Sequence, residues 1–169
     1  MKILEIQDLA QQVQQLKARG KVIVHCHGCF DLMHPGHILH LQAAKKMGDV
    51  LMVTLTPDRF IDKGPDRPVF SQDLRAMSLA ALECVDYVAV NAWPTAQETL
   101  ELLRPDIYVK GQEFEELKDK TGKIQKEFAV LEKIGATLRV THETVFSSTK
   151  LLNQYFLNKK PCPDNAVKS

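Results

Sequence analysis

The 169-residue chain carries almost no net charge: 22 Lys and Arg stand against 21 Asp and Glu, a formal balance of +1. A nucleic-acid binder shows a basic surplus or a Lys/Arg stripe, and neither is present, so no nucleic-acid partner is expected. No apolar run approaches the ~20 residues that span a bilayer, which argues against a membrane protein. The opening MKILEIQDLAQQVQQLKARG alternates polar and apolar groups and has no secretory core. Cysteine is sparse: the four, at 26, 29, 84 and 162, do not form a disulfide framework for a chain of this size. The expected setting is a reducing cytoplasm, with Cys84 as a small core residue. There is no internal repeat. What remains is ordinary globular composition, 44% hydrophobic and 25% charged. A single domain of this length buries roughly 70% of the surface that its unfolded chain exposes.

Periodicity predicts an alternating series. A helix fits 6–19, with Leu9, Val13 and Leu16 on one face and Gly20 as its stop. Strands are predicted at 21–26, 49–56, 85–90, 106–110 and 137–141. Helices are predicted at 36–47 and 71–83, the latter capped by Ser71. Thr95 and Glu98 spell a capping box for a helix to 103. Ile124, Phe128, Leu131 and Ile134 mark another helix, and a last one starts near Ser148. Such alternation specifies an α/β, Rossmann-like, doubly wound sheet of about five parallel strands with helices on both faces. Ligands of these sheets bind at the carboxyl ends of strands, where the strand order reverses. One domain is expected over 1–157, with 158–169 as a loose tail or linker.

The chemistry therefore belongs after the first strand, where the sequence reads HCHGCFDLMHPGHILH. Five of the six histidines lie here, with Cys26 and Cys29. A zinc or redox site is one reading of C-x-x-C. A structural zinc site needs a second ligand pair some 12–20 residues on, and the nearby His34 and His37 are separated by Pro35 and Gly36. Cys26 shares the apolar strand face of Val22 and Val24, and Cys29 is followed by Phe-Asp rather than a helix. His25 and His27 read as ordinary strand-end residues, and His40 as a surface or packing histidine.

The second reading is a phosphate site. HPGH opens a helix, whose free N–H groups and partial positive charge suit an anion. Gly36 permits close backbone approach, and Pro35 starts the helix without losing a needed donor. Two imidazoles three residues apart can donate to phosphate oxygens as their charge rises.

GCFDLMHPGH resembles the G-x-F-D-x-x-H-x-G-H motif of the cytidylyltransferase-like nucleotidyltransferases. The likeness continues in that family's order through LKARGK, GDVLMVTLTPD, DKGPDRPVF, QDLRAMSLAALECVDYV, LRPDIYVKG and FSSTKLL. It is strongest toward the nucleotidyltransferase domain of bacterial ADP-heptose synthases. The resemblance implies that Cys29 and Phe30 line a nucleotide through backbone groups, with Asp31 in support. It implies that His34 and His37 contact phosphates at the mouth containing Gly36. Lys63 matches a mobile-loop lysine that steadies phosphate charge, with Arg67 as a competitor for that task; the lesser alternative for Lys63 is a solvated loop residue. Arg75 matches the arginine of an E-x-R stretch, or is a surface salt-bridge partner. Lys110 and Gly111 fall where the family contacts base or ribose through the backbone. Ser147, Ser148 and Thr149 would take the β- and γ-phosphates, cap the last helix, or do both.

The implied reaction moves AMP or CMP from ATP or CTP, carried with Mg²⁺, to a small phosphorylated acceptor, a sugar 1-phosphate first of all. The resemblance further implies a homodimer and a possible link to a sugar kinase domain. A glycerol-3-phosphate-type cytidylyltransferase is the alternative within the same chemistry, and a non-catalytic nucleotide-binding module is the alternative outside it. Against the former, those enzymes read R-T-E-G before the Ser/Thr run, whereas this chain reads His142-Glu-Thr-Val145. The charged stretch 113–128 is longer than a minimal heptose enzyme requires.

Overall fold

A computed structural model describes residues 2–64, 66–112, 123–143 and 148–152, with the side chains of Lys123, Ile124 and Ser148 excepted. The expected tail at 158–169, Ser147 and most of the charged 113–128 stretch lie outside these residues. In chain order the elements are α1 Ile6–Ala18, β1 Ile23–Gly28, α2 Pro35–Lys45, β2 Val50–Leu55, a 3-10 turn Asp58–Phe60, α3 Gln72–Ala80, β3 Tyr87–Val90, α4 Gln97–Leu103, β4 Ile107–Gly111, α5 Lys123–Ile134, β5 Thr137–Thr141 and α6 Ser148–Leu152. No described helix is long and apolar enough to cross a membrane.

The five strands are parallel, in the order β3-β2-β1-β4-β5. The chain walks outward from β1 through β2 to β3, then returns to the other side of β1 for β4 and β5. The order therefore reverses between β1 and β4, and the crevice at their carboxyl ends is the expected ligand site. β2 is buried at every position, as a strand covered on both faces must be. The edge strand β5 instead alternates exposed and half-buried residues as far as Val140 and ends on the buried Thr141.

The two faces are separately packed. Val24, Cys26, Leu51, Val53 and Leu55 meet Leu41 and Ala44 of α2 and Ala76 and Leu79 of α3. On the other face, Ile23, Met52 and Ala89 meet Leu9 and Val13 of α1 and Leu103 of α4. Leu100, Tyr108 and Leu131 bring α4 and α5 over β4. The doubly wound sheet is the predicted one.

Several boundaries differ from prediction. The first strand begins at Ile23, not 21, because the Asp49 and Asp106 carboxylates take the N–H groups of Val22 and Ile23, each at 2.8 Å. It also runs on to Gly28, so His25 is mid-strand rather than at the strand end. The capping box does not form as spelled. The N-cap of α4 is Ala96, and Thr95 instead donates to the Glu98 carboxylate at 3.0 Å. Asn91 is the reason: its amide holds the carbonyls of Trp93 and Thr95, and its own oxygen accepts the Thr99 hydroxyl. That grip sets Thr95 one residue ahead of the cap. The third helix ends at Ala80 rather than 83.

Candidate active site at the carboxyl ends of β1 and β4

The loop leaving β1 is fixed from beneath. Phe30 has a left-handed φ of 49°, unusual for a side chain of its size. Its ring lies against Gly28, where an added Cβ would come within 3.1 Å of it. Asp31 is fully buried, bonded at 2.6 Å to both Arg67 Nε and the Val69 N–H. This clasp holds the loop before α3 against the loop after β1.

Arg75 lies under the same loop, 1% exposed. Its guanidinium donates to the carbonyls of Phe70 (3.1 Å), Cys29 (2.5 Å) and Thr56 (2.8 Å) and to Asp58 Oδ1 (2.6 Å). The sequence allows a phosphate contact or a surface ion pair; the guanidinium is buried, and its ion pair with Asp58 reaches a carboxylate that is 39% exposed. With its donors engaged by protein oxygens, Arg75 ties the β1 and β2 exits together. Arg67 is likewise committed to Asp31, although its Nη2 has no hydrogen-bond partner among the described residues. Lys63 differs from both. It is exposed beside Gly64 (φ 94°), forms no hydrogen bond or ion pair among the described residues, and its charge reaches His37.

At the mouth of α2 the two histidines stack, ring centroids 3.8 Å apart and planes 12° from parallel. His34 is the N-cap: its Nδ1 accepts the His37 N–H at 3.3 Å. An accepting Nδ1 leaves the proton of the neutral ring on Nε2. The buried Nδ1 of His37 has no hydrogen-bond partner among the described residues. An orphaned lone pair is tolerated better than an orphaned N–H, so here too Nε2 carries the proton. Burial lowers the His34 pKa. The His37 pKa is lowered to about 4, first by burial and then by the charges of His34, His40 and Lys63. At neutral pH the mouth thus holds two uncharged N–H donors, which stack without repulsion. Gly36 is buried at the second helical position, and no acidic side chain in the first turn offsets the helix dipole. The edge of the Phe30 ring closes the group against His37, centroids 5.3 Å apart.

On the β4 side, Lys110 is buried and paired with Glu127 at 3.0 Å, and the Tyr108 hydroxyl donates to the same carboxylate at 3.1 Å. Gly111 ends β4. The Lys110 carbonyl accepts a long bond from Thr141 (3.4 Å), whose hydroxyl also meets His40 Nδ1 at 2.6 Å. His40 is thus a brace between α2 and β5, the packing alternative of the sequence reading. Ser148 opens α6 and Thr149 is exposed there; Ser147 lies outside the described residues. The structure therefore gathers Cys29, Phe30, His34, Gly36, His37 and Lys63 at one mouth, with Lys110 and Gly111 across the crevice.

The cysteines divide as predicted for a core and a loop. Cys26 is fully buried, its thiol pushed up to about 12 chiefly by burial, so it is a packing residue. Cys29 is a free thiol in the loop. Among the described residues no group of three His, Cys, Asp or Glu could hold a metal ion.

Sequence reasoning missed Glu127, Thr54 and Asp58. Two left a signal. Glu127 sits four residues before Leu131, inside the apolar stripe of α5, where a carboxylate requires a partner. Thr54 is the lone polar residue of VLMVTL.

Comparison with known proteins points the same way. Residues 25–154 match the model of the cytidylyltransferase-like family. The chain is 48% identical over 100 residues to the bifunctional protein HldE of Syntrophotalea carbinolica, a stretch covering 58% of this chain and 20% of that protein. It is 44% identical over 115 residues to the bifunctional protein HldE of Geobacter metallireducens, covering 67% and 24%. Among solved structures, the lipopolysaccharide core biosynthesis protein of Thermoplasma volcanium superposes with a TM-score of 0.58 at 26% identity, over 76% of this chain and all of that one. The pantoate-β-alanine ligase of Francisella tularensis shares the fold at 16% identity, with a TM-score of 0.60 over 88% and 69%. With the motif in place at the switch point and the family model spanning most of the sequence, the chain belongs to the cytidylyltransferase-like family.

Proposed function

We propose that this chain is a nucleotidyltransferase that moves AMP or CMP from a nucleoside triphosphate onto a sugar phosphate, in the manner of ADP-heptose synthesis. The observation that carries the proposal is the stacked, neutral His34–His37 pair at the N-terminus of α2, whose first turn carries no acidic side chain. A phosphomonoester oxygen of the acceptor attacks the α-phosphorus in line. The new O–P bond forms as the bond from Pα to the bridging oxygen breaks, and pyrophosphate leaves with that electron pair. The acceptor's second pKa is about 6, so at neutral pH it is already an anion and no general base is needed.

The obstacle is the approach of two polyanions. Two Nε2–H donors, the α2 dipole and Lys63 supply the opposing field, while Mg²⁺ arrives with the triphosphate as part of the substrate. Neutral donors suit this task, since they strengthen with the charge that develops on the phosphate oxygens and bind the resting substrate less tightly than cations would. Arg75 and the Asp31–Arg67 clasp serve by positioning. Main-chain groups at Lys110 and Gly111 would meet the base or ribose, and Ser147, Ser148 and Thr149 the β- and γ-phosphates. A homodimer in the cytoplasm, acting beside a sugar kinase activity, completes the proposal. The HldE relatives are called bifunctional and are several times longer than the stretch matched.

Pyrophosphate release tests it. Mg-ATP or Mg-CTP with heptose 1-phosphate should give stoichiometric release, with glycerol 3-phosphate inactive. Tight triphosphate binding without release from any sugar phosphate would make the chain a nucleotide sensor instead.

A further inference from the structure

Strand β4 leaves β1 before it finishes. Its register with β1 ends at Cys26 and Val109, whereas that with β5 runs on through Lys110 and Gly111. The last two residues of β4 thus border the crevice with ladder support on the β5 side. The Lys110 carbonyl accepts the Thr141 hydroxyl, which also meets His40 of α2. The Lys110 side chain is anchored elsewhere. Tyr108 and Lys110, two residues apart, share the face of β4 that α4 and α5 cover. Both reach one oxygen, Glu127 Oε2, the ammonium at 3.0 Å and the hydroxyl at 3.1 Å. The ammonium also sits 4.9 Å from the centre of the Tyr108 ring.

Glu127 is the fifth residue of α5 and is buried, one turn before Leu131, which packs with Tyr108 and Leu100. Even when paired, a buried ion pair adds little net stability over apolar residues of similar size; what it does here is admit one arrangement of the groups it joins. The His25 ring, with its centroid 5.3 Å from that of Tyr108, does not compete for the carboxylate. It is fully buried with Nε2 on Thr54 Oγ1 at 2.8 Å. Burial, and then the Lys110 charge, draws its pKa down to about 3, so it stays neutral. The charge that Glu127 balances is that of Lys110.

We propose that Glu127 is a positioning residue for the nucleoside half of the triphosphate. By holding the Lys110 ammonium and the Tyr108 hydroxyl from α5, it sets how the Lys110–Gly111 main chain faces the crevice, where β1 no longer supports it. The proposal rests on the nucleotidyl-transfer reading for the identity of the ligand.

Calorimetric titration of the full chain with Mg-ATP, Mg-CTP and Mg-tripolyphosphate tests it, because tripolyphosphate offers the phosphates without a nucleoside. Glu127→Gln keeps the shape and removes the charge. It should weaken the preferred nucleotide about three- to tenfold, the scale of one misplaced hydrogen bond, and tripolyphosphate less than about twofold. Equal losses for nucleotide and tripolyphosphate overturn the proposal. So does a lowered Tm with every affinity kept, which marks a merely structural pair. Tyr108→Phe removes one of the two bonds without stranding a charge, and carries the test if Glu127→Gln does not fold. It should weaken the nucleotide about threefold and spare tripolyphosphate; an unaltered nucleotide affinity overturns the proposal. In turnover, Glu127→Gln should raise the KM of the nucleotide and leave that of the sugar phosphate in place; a rise in both contradicts the assignment. A wild-type chain that binds none of the three ligands removes the nucleotidyl-transfer reading, and this proposal with it.

Discussion

Replacing Asp31 by Asn removes one charge and almost no volume from the clasp beneath the β1 loop. The carboxylate is fully buried and the Arg67 side chain 9% exposed, so solvent does little to screen the loss. Asn retains an oxygen for the Val69 N–H, but the Arg67 guanidinium is left buried with no counter-charge. Its Nη2 already has no hydrogen-bond partner among the described residues. Breaking a buried pair from one side costs about 3–5 kcal/mol. The surviving Val69 bond places this case at the lower end, about 3 kcal/mol, which for a chain of this length lowers Tm by about 6–12 °C. Removing both charges should recover most of the loss, because a buried pair replaced by neutral groups of similar size is often close to neutral in stability. Thermal melts of wild type, Asp31→Asn, Arg67→Met and the double variant form the cycle. An Asp31→Asn protein within about 1 kcal/mol of wild type, or a double variant as unstable as the two single losses summed, would refute the clasp.

Lys63→Ala should lower kcat/KM about 10²-fold while leaving Tm unchanged, since its ammonium is exposed and its only role in this account is to steady transferred charge. Arg75→Met should do the opposite in melts, losing several kcal/mol as the carbonyls of Cys29, Phe70 and Thr56 lose their donor; an unaltered Tm would contradict the positioning role. Stability should also fall with acid. The folded pKa values of His25, about 3, and His37, about 4, lie below the unfolded value near 6.5, so between these limits the unfolded chain binds protons that the folded chain does not. The contribution is whole above pH 6.5 and lost as pH falls through the folded values, at about 1.4 kcal/mol per pH unit for each group. Urea midpoints from pH 7 to 4 measure it; a His25→Asn variant that shows the full wild-type slope would show that His25 titrates normally.

The parts that sequence made legible are those set by local rules. Leu9, Val13 and Leu16 repeat at helical spacing, and VLMVTL is apolar enough to demand cover on both faces. His34-Pro-Gly-His37 fixes a helix start whether or not anything binds there. The roles that stayed hidden depend on partners far away in sequence. Arg75 could be placed on a helix, but its acceptors at Cys29 and Thr56 are 46 and 19 residues off, and only the fold shows that it is buried. The same holds for Arg67 and Asp31, 36 residues apart, a pairing that only the fold shows. His25 reads as an ordinary strand-end residue because a histidine near a strand end is usually half-solvated. Here Thr54, on the next strand, supplies the polar contact that lets the ring go fully inside. Thr95 failed as a cap for a similar reason: Asn91 competes for the local backbone, which pattern matching does not weigh.

The central claim is that the α2 mouth performs nucleotidyl transfer through two neutral histidine donors. His37→Ala tests it most directly, measured by pyrophosphate release with Mg-ATP or Mg-CTP and heptose 1-phosphate, with a melt of the same sample as control. The account predicts that kcat falls about 10²–10³-fold, the scale of one lost transition-state donor, while the protein remains folded. A folded His37→Ala protein that turns over at the wild-type rate would contradict it.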